Sequence, residues 1–343
     1  MNLFLDTCDL KPTPRRPVWI MRQAGRYLPE YRAVRKNYSF KEMVETPDIC
    51  TEITLQPIRR FGLDAAIIFS DILVILEALG VPYQIVDGQG PVLEGTVRTR
   101  AALDRLAATP VSDSLGYVYT ALDLLRRELS PDVALLGFAG APWTLACYLV
   151  EGGSSKNGFP AVKTLLAEEP ALFHSIMERL TEAVVDHLRT QLKAGADAVQ
   201  LFDSWAGHLS EDAFRRASLP YLIRIADELA GERVIFYPRG AAQWLTADEA
   251  ARFHIMGVDQ SQPLAHYREN WGSDIVLQGN LAPEILASDP GTIARETAAV
   301  LKSHGPGPGH IFNLGHGITP EIPIEHVQAV VDAVHSYELE ALA

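Results

Sequence analysis

The chain has 343 residues, of which 48% are hydrophobic and 21% charged, and its formal net charge is −13. This composition is typical of a soluble globular protein, and the acidic balance argues against a protein that wraps nucleic acid, which needs a basic face. The longest apolar runs are broken by Asp, Gly or Pro before they reach membrane-spanning length, and the first ten residues lack the features of a secretory signal. We therefore expect a cytoplasmic protein with neither a nucleic-acid nor a membrane partner.

The cysteines and histidines give no sign of a metal centre. Cys8, Cys50 and Cys147 lie far apart and form no CxxC motif, so neither a disulfide framework nor a zinc site is indicated. The ten histidines do not cluster, and the zinc motif HExxH is absent. The sequence predicts that no metal is bound.

Short runs of apolar, β-branched or aromatic residues recur along the chain, and each ends in polar residues or glycine. Such runs are typical of strands buried on both faces of a parallel sheet, and helical stretches lie between them. The alternation predicts an α/β fold, a single (β/α)8 barrel over residues 1–343, with a doubly wound open sheet as the alternative. The absence of GxGxxG after the first run favours the barrel. The predicted strands cover residues 17–25, 64–71, 133–142, 197–207, 233–240, 254–260, 274–280 and 310–317.

Helix start signals lie between these runs. Thr46-Pro47-Asp48 provides a cap, a proline and an acid, which together are typical of a helix N-terminus. Thr246 and Glu249 have the spacing of a capping box. Pro283 and Pro320 are each expected at the first position of a helix.

In a (β/α)8 barrel, the side chains at the carboxyl ends of the strands meet in one cleft. We therefore expect the polar residues at these ends to share the active site. They are Arg22, Asp71, Asp203, Ser204, Arg239, Asp259, Asn280 and His316.

A basic segment lies at the first of these strand ends. Residues 11–41 contain nine Lys or Arg and a single acid, although the chain as a whole is acidic. Arg22 and Arg26 flank a glycine-containing loop, where backbone N–H groups can approach a ligand and two guanidinium groups can bind carboxylates bidentately. Surface charge or an interdomain ion pair is the alternative, but the excess of bases favours an anionic ligand.

Two further residues could serve either structure or chemistry. Asp71 ends an apolar run, so its carboxylate could face developing positive charge, or it could cap the helix that follows. Tyr148 lies on a short helix between a proline and a glycine pair, where its hydroxyl could reach the cleft or its ring could simply pack.

The ends of the fourth and the last predicted strands raise the same question. Strand alternation sends Phe202 and Ser204 to one side and Asp203 to the other, giving either an aromatic wall for a flat ligand or core packing with a cap. His316 lies between two glycines, which favours an exposed imidazole that donates protons or binds an anion.

Six segments in chain order, spanning about residues 17 to 318, resemble the uroporphyrinogen decarboxylase family. They are RQAGRYLPEYR, TLQPIRRFGLDAAIIFSDIL, GFAGAPWTLACYLVEGGSS, QLFDSWAG, LQGNL and FNLGHGI. The resemblance implies a (β/α)8 barrel, a homodimer and no metal or organic cofactor. It also implies conversion of uroporphyrinogen III to coproporphyrinogen III, in which four acetate side chains become methyl groups and four CO2 are released.

The resemblance further implies roles for individual residues. Asp71 would accept hydrogen bonds from the pyrrole N–H groups and stabilise a cationic intermediate, and the proton donor is left open among a water organised by Arg22, Tyr148 and His316. Gln260 stands where many members carry Trp, which leaves the packing there open. The implied catalytic residues are Asp71, Arg22, Arg26, Tyr148 and His316. The implied substrate-binding residues are Arg22, Gln23, Ala24, Gly25, Arg26, Arg35, Asp71, Tyr148, Phe202, Ser204 and His316.

Two other functions compete with this interpretation. A zinc-dependent methyltransferase acting on corrinoid or thiol substrates could use the same barrel, but it needs a thiolate-rich site that three scattered cysteines do not supply. A non-catalytic tetrapyrrole carrier would bind the substrate and release no CO2.

Overall fold

The computed structural model describes residues 1–86 and 88–338, in which strands and helices alternate along most of the chain. The strands are β1 (Ala65–Ile67), β2 (Tyr83–Val86), β3 (Gly90–Leu93), β4 (Ala134–Gly140), β5 (Ala198–Asp203), β6 (Val234–Pro238), β7 (Ile255–Gly257), β8 (Val276–Leu281) and β9 (His310–Leu314). The helices are α1 (Leu3–Cys8), α2 (Pro29–Arg35), α3 (Phe40–Glu45), α4 (Pro47–Phe61), α5 (Val74–Ala78), α6 (Arg100–Leu103), α7 (Gly116–Glu128), α8 (Pro142–Glu151), α9 (Pro160–Glu168), α10 (Pro170–Lys193), α11 (Glu211–Ala217), α12 (Leu219–Glu228), α13 (Ala247–Ala251), α14 (Leu264–Trp271), α15 (Pro290–His304) and α16 (Ile324–Ser336). In this part of the chain, no helix combines the length and the apolar character needed to cross a bilayer.

Seven of the strands form one parallel sheet in the order β1-β4-β5-β6-β7-β8-β9. Their side chains alternate between two apolar clusters, as the pleat requires. In β6, Ile235 and Tyr237 join the cluster inside the barrel, whereas Val234 and Phe236 join the larger cluster between the sheet and the helices. The prediction of strands buried on both faces is confirmed.

The segment before β1 takes the eighth position of the barrel. Val18 forms a parallel bridge with Phe312 of β9, and the N–H of Phe312 donates to the carbonyl of Pro17 at 2.8 Å. On its other side, the carbonyl of Val18 accepts from the N–H of Asp64 at 2.9 Å, just before β1. The (β/α)8 class is confirmed, with the eighth strand reduced to a single bridge.

The prediction of a strand over residues 17–25 is wrong beyond the bridge. The N–H of Gln23 donates to the carbonyl of Ile20 at 2.8 Å, so the chain turns where the strand was expected to continue. Arg22 adopts φ of 65°, a left-handed conformation that no strand accommodates. The polar turn is what carries the basic segment over the barrel mouth.

The start signals were confirmed in part. Pro47 opens α4, although the Thr46 side chain makes no capping hydrogen bond. Thr246 and Glu249 form the predicted capping box of α13. Pro283 opens a short 3-10 helix, but Pro320 lies in a turn and α16 begins only after Pro323.

An antiparallel hairpin of β2 and β3 was not predicted. It follows α5 and lies outside the barrel sheet. Val92 of β3 also forms an antiparallel bridge with Gly153, directly after α8. Three of the four residues of β2 are exposed, among them Ile85 at 42%. Because that strand is half-solvated and short, its sequence lacks the continuous apolar run by which the barrel strands were found.

Candidate active site

A cavity of about 470 Å³ lies where the strands of the barrel sheet end. Its walls come from the turn after the Val18 bridge, from the ends of β1, β4, β5, β6 and β9, from α8, and from the β2–β3 hairpin. This is the end at which a (β/α)8 barrel was expected to carry its chemistry. The predicted site residues that line it are Arg22, Gln23, Ala24, Gly25, Arg26, Asp71, Tyr148, Phe202, Ser204 and His316.

The turn that carries Arg22 is fixed from both sides. The buried amide of Gln23 accepts from the Ile20 N–H at 3.1 Å and donates to the Ala65 carbonyl at 3.1 Å. A β-carbon at Gly317 would overlap the aliphatic part of the Arg22 side chain, so a larger residue there would displace Arg22 from its position. The N–H of Gln23 donates to the Ile20 carbonyl and its carbonyl accepts from the Tyr27 hydroxyl at 2.7 Å, so its amide and its backbone groups all have partners inside the protein and Gln23 supports the turn.

Two further arginines of the basic segment, Arg32 and Arg35, donate to backbone carbonyl oxygens. Arg32 donates to the carbonyl oxygens of Arg26 and Tyr27 at 2.8 and 2.9 Å, so it anchors the loop. Arg35 is exposed, donates to the Tyr38 carbonyl at 2.9 Å and does not line the cavity, in contrast to the expectation that it binds substrate. Its position near the end of α2 directs it to solvent beside the next turn.

The guanidinium groups at the cavity are free of acidic partners. Within residues 1–86 and 88–338, Arg22, Arg26 and Arg239 take part in no ion pair and their side chains in no hydrogen bond. Three positive charges therefore face one cavity, and none of them is held in an ion pair by the part of the chain that the structure describes. That arrangement favours an anionic ligand.

Asp71 places a carboxylate among these charges. It follows β1 by a few residues, is partly exposed to the cavity, and accepts from the Leu73 N–H at 2.8 Å. Burial raises the pKa of Asp71 to about 6, although the Leu73 N–H and the Arg22 charge oppose that rise. The two interpretations of Asp71 are compatible, because it caps the turn before α5 and still lines the cavity.

Tyr148 lies on α8, which Pro142 opens and Gly152 ends with a left-handed residue, as the sequence predicted. Its ring packs against Phe159 and Trp205, with centroid distances of 5.8 and 6.1 Å. Burial raises the pKa of Tyr148 to about 12, so its hydroxyl keeps its proton at neutral pH. Tyr148 therefore packs and lines the cavity at the same time.

The end of β5 divides its side chains as strand alternation predicts. Phe202 and Ser204 line the cavity, whereas the fully buried Asp203 accepts from the Thr144 hydroxyl at 2.7 Å and the Ser218 hydroxyl at 3.0 Å. Burial raises the pKa of Asp203 to about 6, and these two hydroxyls oppose the rise. Asp203 thus joins the helices behind the cavity and does not face it.

His316 follows β9 and its imidazole is half-buried. Burial lowers the pKa of His316 to about 4, and the nearby charges of Arg239 and Arg22 lower it further, while Asp259 acts in the opposite direction. Its Nδ1 atom is buried and has no hydrogen-bond partner. At neutral pH the ring is therefore uncharged in the free protein.

Not every polar strand end reaches the cavity. Asp259 accepts from the N–H groups of Gly240 and Ser261, and Asn280 donates to the carbonyls of Asp259 and Gln262. Like Asp203, these two side chains hold loops in place, so the expectation that all eight polar ends share the cleft is wrong for three of them. Arg239 lines the cavity as expected, and the cavity also includes residues that were not predicted, among them Tyr31, Phe40, Ile85, Pro91 and Tyr237.

The residues that line the cavity differ in how far the sequence pattern predicts them. Arg239 was recognisable as a strand-end residue, but nothing in the pattern separated it from Asp259 or Asn280. Ile85 and Pro91 belong to the hairpin that the sequence did not predict, so no pattern could place them at the cavity.

The departure at Gln260 concerns packing beside the cavity. Gln260 is exposed, and its backbone nitrogen and side chain lie against Gly315 so closely that a β-carbon at Gly315 would overlap them. Gly315 directly precedes His316. In the described residues, no group of three or more His, Cys, Asp or Glu side chains is arranged to hold a metal ion.

Solved structures with a similar fold include a methyltransferase from Methanosarcina mazei, with a TM-score of 0.79 at 21% identity over 97% of each chain. A B12-independent methionine synthase from Shewanella sp. matches with a TM-score of 0.56 at 10% identity over 94% of each chain. At these identities the likeness supports the barrel fold alone.

Sequence comparison is more specific. The family model for uroporphyrinogen decarboxylase (URO-D) matches residues 1–337. A uroporphyrinogen decarboxylase from Alkalilimnicola ehrlichii is 47% identical over 339 residues, which cover 97% of this chain and 93% of that protein. One from Coxiella burnetii is 44% identical over 344 residues, which cover 98% and 95%. The chain therefore belongs to the uroporphyrinogen decarboxylase family.

Proposed function

We propose that the cavity binds uroporphyrinogen III and is where its four acetate side chains become methyl groups, giving coproporphyrinogen III and four CO2. The observation that carries this proposal is one carboxylate, Asp71, set among arginines that have no acidic partner in the described residues. A substrate with eight carboxylates supplies the missing negative charge, and its pyrrole N–H groups supply donors for Asp71. Family membership makes the chain a decarboxylase of porphyrin biosynthesis, so the proposal concerns which residues do the work.

Asp71 is proposed to stabilise the cation on which decarboxylation depends. An alkyl acetate loses CO2 only when its electrons have an acceptor, and protonating the adjacent pyrrole carbon creates one without an organic cofactor. With a pKa of about 6, Asp71 is mostly ionised at neutral pH. Its carboxylate can then accept hydrogen bonds from the pyrrole N–H groups and stabilise the positive charge that develops on the ring.

Arg22 and Arg26 are proposed to orient the carboxylates for each step. Both line the cavity and keep their guanidinium donors free for a ligand. Phe202 contributes an aromatic surface for the macrocycle, and Ser204 a hydroxyl beside it. The backbone N–H groups of Ala24 and Gly25, which donate to no carbonyl among the described residues, are proposed to bind substrate in the same loop.

The ionisation states of the candidates bear on the identity of the proton donor. His316, with a pKa of about 4, is not an imidazolium in the free protein at neutral pH. Tyr148, with a pKa of about 12, is protonated but a weak acid. Water, with a pKa of about 15.7, is a weaker acid still. We therefore propose that the donor is one of three groups, a water organised by Arg22, Tyr148 or His316, each of which can also contact substrate.

The remaining parts of the proposal concern the assembly. We propose that the chain works as one domain, in a cytoplasmic homodimer, without metal or organic cofactor and without a nucleic-acid or membrane partner. The net charge of −13 together with the basic residues at the cleft supports a small anionic substrate over a nucleic acid.

The test is anaerobic incubation with uroporphyrinogen III, followed by oxidation and chromatography of the porphyrins. We expect hepta-, hexa- and pentacarboxylate intermediates and a tetracarboxylate product. Octacarboxylate that is bound but unchanged by well-folded protein would indicate a carrier instead. Metal analysis of the same sample distinguishes a zinc-dependent methyltransferase, which would hold stoichiometric zinc.

A further inference from the structure

A buried carboxylate lies directly behind the cavity wall, at the end of β5. Asp203 is fully buried and accepts hydrogen bonds from the Thr144 hydroxyl at 2.7 Å and the Ser218 hydroxyl at 3.0 Å. In the part of the chain that the structure describes, no Lys, Arg or His side chain pairs with it. Burying a carboxylate without a basic partner costs stability. That cost indicates that the arrangement serves more than the packing of the fold.

The Thr144 hydroxyl connects this carboxylate to the cavity wall. Because an ionised carboxylate only accepts, the hydroxyl donates its proton to Asp203 and its oxygen accepts the Trp205 N–H at 3.2 Å. That N–H belongs to the peptide group that joins Trp205 to Ser204, and both of these residues line the cavity. The carboxylate therefore orients the hydroxyl, and the hydroxyl fixes the peptide between two residues of the wall.

Helix α8 holds Trp205 at two further points. The Nε1 atom of Trp143 donates to the Trp205 carbonyl at 3.0 Å, and the Tyr148 ring packs against the Trp205 ring with a centroid distance of 6.1 Å. Thr144 and Tyr148 are four residues apart, so they lie on the same face of the helix. The backbone of Trp205 is thus bound through both its N–H and its carbonyl, and its ring contacts the residue that α8 places in the cavity.

We propose that Thr144 is a positioning residue for decarboxylation. Oriented by Asp203, its hydroxyl holds the peptide before Trp205, so that the Ser204 hydroxyl and the Trp205 ring meet the macrocycle in a fixed geometry. The inference rests on the proposed function for the identity of the ligand. Thr144 and Asp203 act through the wall, since neither of them lines the cavity.

The first experiment compares Thr144→Val with Ser218→Ala by anaerobic kinetics on uroporphyrinogen III. Each variant takes one hydroxyl from Asp203, so both should lower Tm, but only Thr144→Val also releases the Trp205 N–H. We expect kcat of Thr144→Val to fall about 10- to 100-fold with a smaller change in KM, because misplaced groups slow the chemical step more than they weaken binding. In Ser218→Ala, kcat should stay within about twofold of wild type.

Thr144→Ser is the conservative variant that keeps the hydroxyl. Its kcat should stay within about threefold of wild type, because the oxygen can still accept the Trp205 N–H while it donates to Asp203. A kcat of Thr144→Val within about twofold of the Ser218→Ala value overturns the proposal. So does a Thr144→Ser protein that is as slow as Thr144→Val.

Trp143→Phe tests the same positioning of Trp205 if Thr144→Val does not fold. It removes the donor to the Trp205 carbonyl and keeps an aromatic ring. The matched control is Trp271→Phe, since the Trp271 Nε1 donates to the Leu245 carbonyl at 2.9 Å, outside the cavity. We expect kcat to fall about tenfold in Trp143→Phe alone. Equal kcat values in these two variants overturn the proposal.

Fluorine NMR of protein labelled with fluorotryptophan provides a measurement that does not depend on turnover. The Trp205 resonance is the one missing from Trp205→Phe. In wild type and Ser218→Ala, binding of the unreactive oxidised uroporphyrin should shift this resonance equally, because the ring lies at the ligand. In Thr144→Val we expect less than about half of that shift. An equal shift in all three proteins contradicts the proposal. If the wild type fails to decarboxylate while the shifts differ as expected, the proposed function fails and the positioning by Thr144 stands.

Discussion

Arginines that are buried or half-buried at one end of the barrel contrast with the cleft arginines at the other. Arg16 is 2% exposed and donates to the carbonyl oxygens of residues 305–307, just before β9. Arg268 donates to the carbonyls of Ile275, Pro308 and Gly309 at the same end. Burial lowers the pKa of each to about 10. These guanidinium groups satisfy backbone acceptors, which makes them structural.

At the carboxyl end of the strands, the same side chain serves a different purpose. Arg22, Arg26 and Arg239 bind neither carbonyl nor carboxylate within the described residues. The arginine side chains at one end of the barrel therefore donate to backbone carbonyls, whereas those at the other end have no hydrogen-bond partner among the described residues. Free hydrogen-bond donors, more than the number of basic residues, therefore distinguish arginines that bind a ligand from arginines that are structural.

The largest effect is expected for Asp71→Asn. Removing the charge that opposes the developing cation should lower kcat by about 10²- to 10³-fold, measured anaerobically on uroporphyrinogen III. The raised pKa of Asp71 gives the sign for stability. The protonated carboxyl of Asp71 favours the folded state. This contribution is complete below the pKa that Asp71 has in the unfolded chain, and it is lost as pH rises through about 6. At pH 7 the variant should therefore unfold at an equal or higher Tm. Near-normal turnover would remove Asp71 from the mechanism.

Arg22→Gln tests the arginines at the carboxyl end of the strands, whose donors are free. Because the Arg22 side chain makes no hydrogen bond within the described residues, its loss should leave Tm within about 2 °C of wild type. Loss of a carboxylate contact should lower kcat/KM by about 10- to 100-fold. A large fall in Tm with unchanged kcat/KM would show that Arg22 is structural after all.

Arg16→Met tests the opposite end of the barrel, where the arginine donors bind carbonyls. It should lower stability and leave activity unchanged. Three carbonyl oxygens lose their donor, so the free energy of unfolding should fall by about 2–3 kcal/mol and Tm by roughly 3–4 °C. Activity per folded molecule should match wild type. Denaturant melts and active-site titration measure the two quantities separately, and a selective activity loss would contradict the comparison.

The smallest expected effect is the pH profile of wild-type kcat/KM. Asp71 must be ionised, so kcat/KM should fall up to about tenfold per unit as pH drops below about 6. His316, with its pKa near 4, should add no further limb between pH 5 and 8. An Asp71→Asn variant that retains the acid limb would assign the limb to another group.

Much of the fold and cleft could be predicted because the signals are local. Apolar runs marked the barrel strands, and their ends led to Arg22, Asp71 and His316. The shortening of the first strand could not be predicted, since its apolar run continues to Met21 while the turn depends on Gln23 binding Ala65 far along the chain. Local composition carries no record of such a partner.

The same limit explains which strand-end residues were misjudged. Asp203 and Arg239 end neighbouring strands, and both are polar. What separates them is that Asp203 meets hydroxyls of Thr144 and Ser218, 59 and 15 residues away. Whether a strand-end side chain is used up inside the protein depends on such distant partners, which a single sequence does not show.

The contact between Gly317 and Arg22 has a consequence for biosynthesis of the protein. The cleft arginine lies on a glycine that the ribosome adds almost 300 residues later, and the Val18 bridge to Phe312 spans a similar interval. Contacts of such long range form late, because closing so long a loop is entropically unfavourable. A nascent chain can therefore assemble its middle strands early, but it gains a competent decarboxylation cleft only when its last strand joins its first segment.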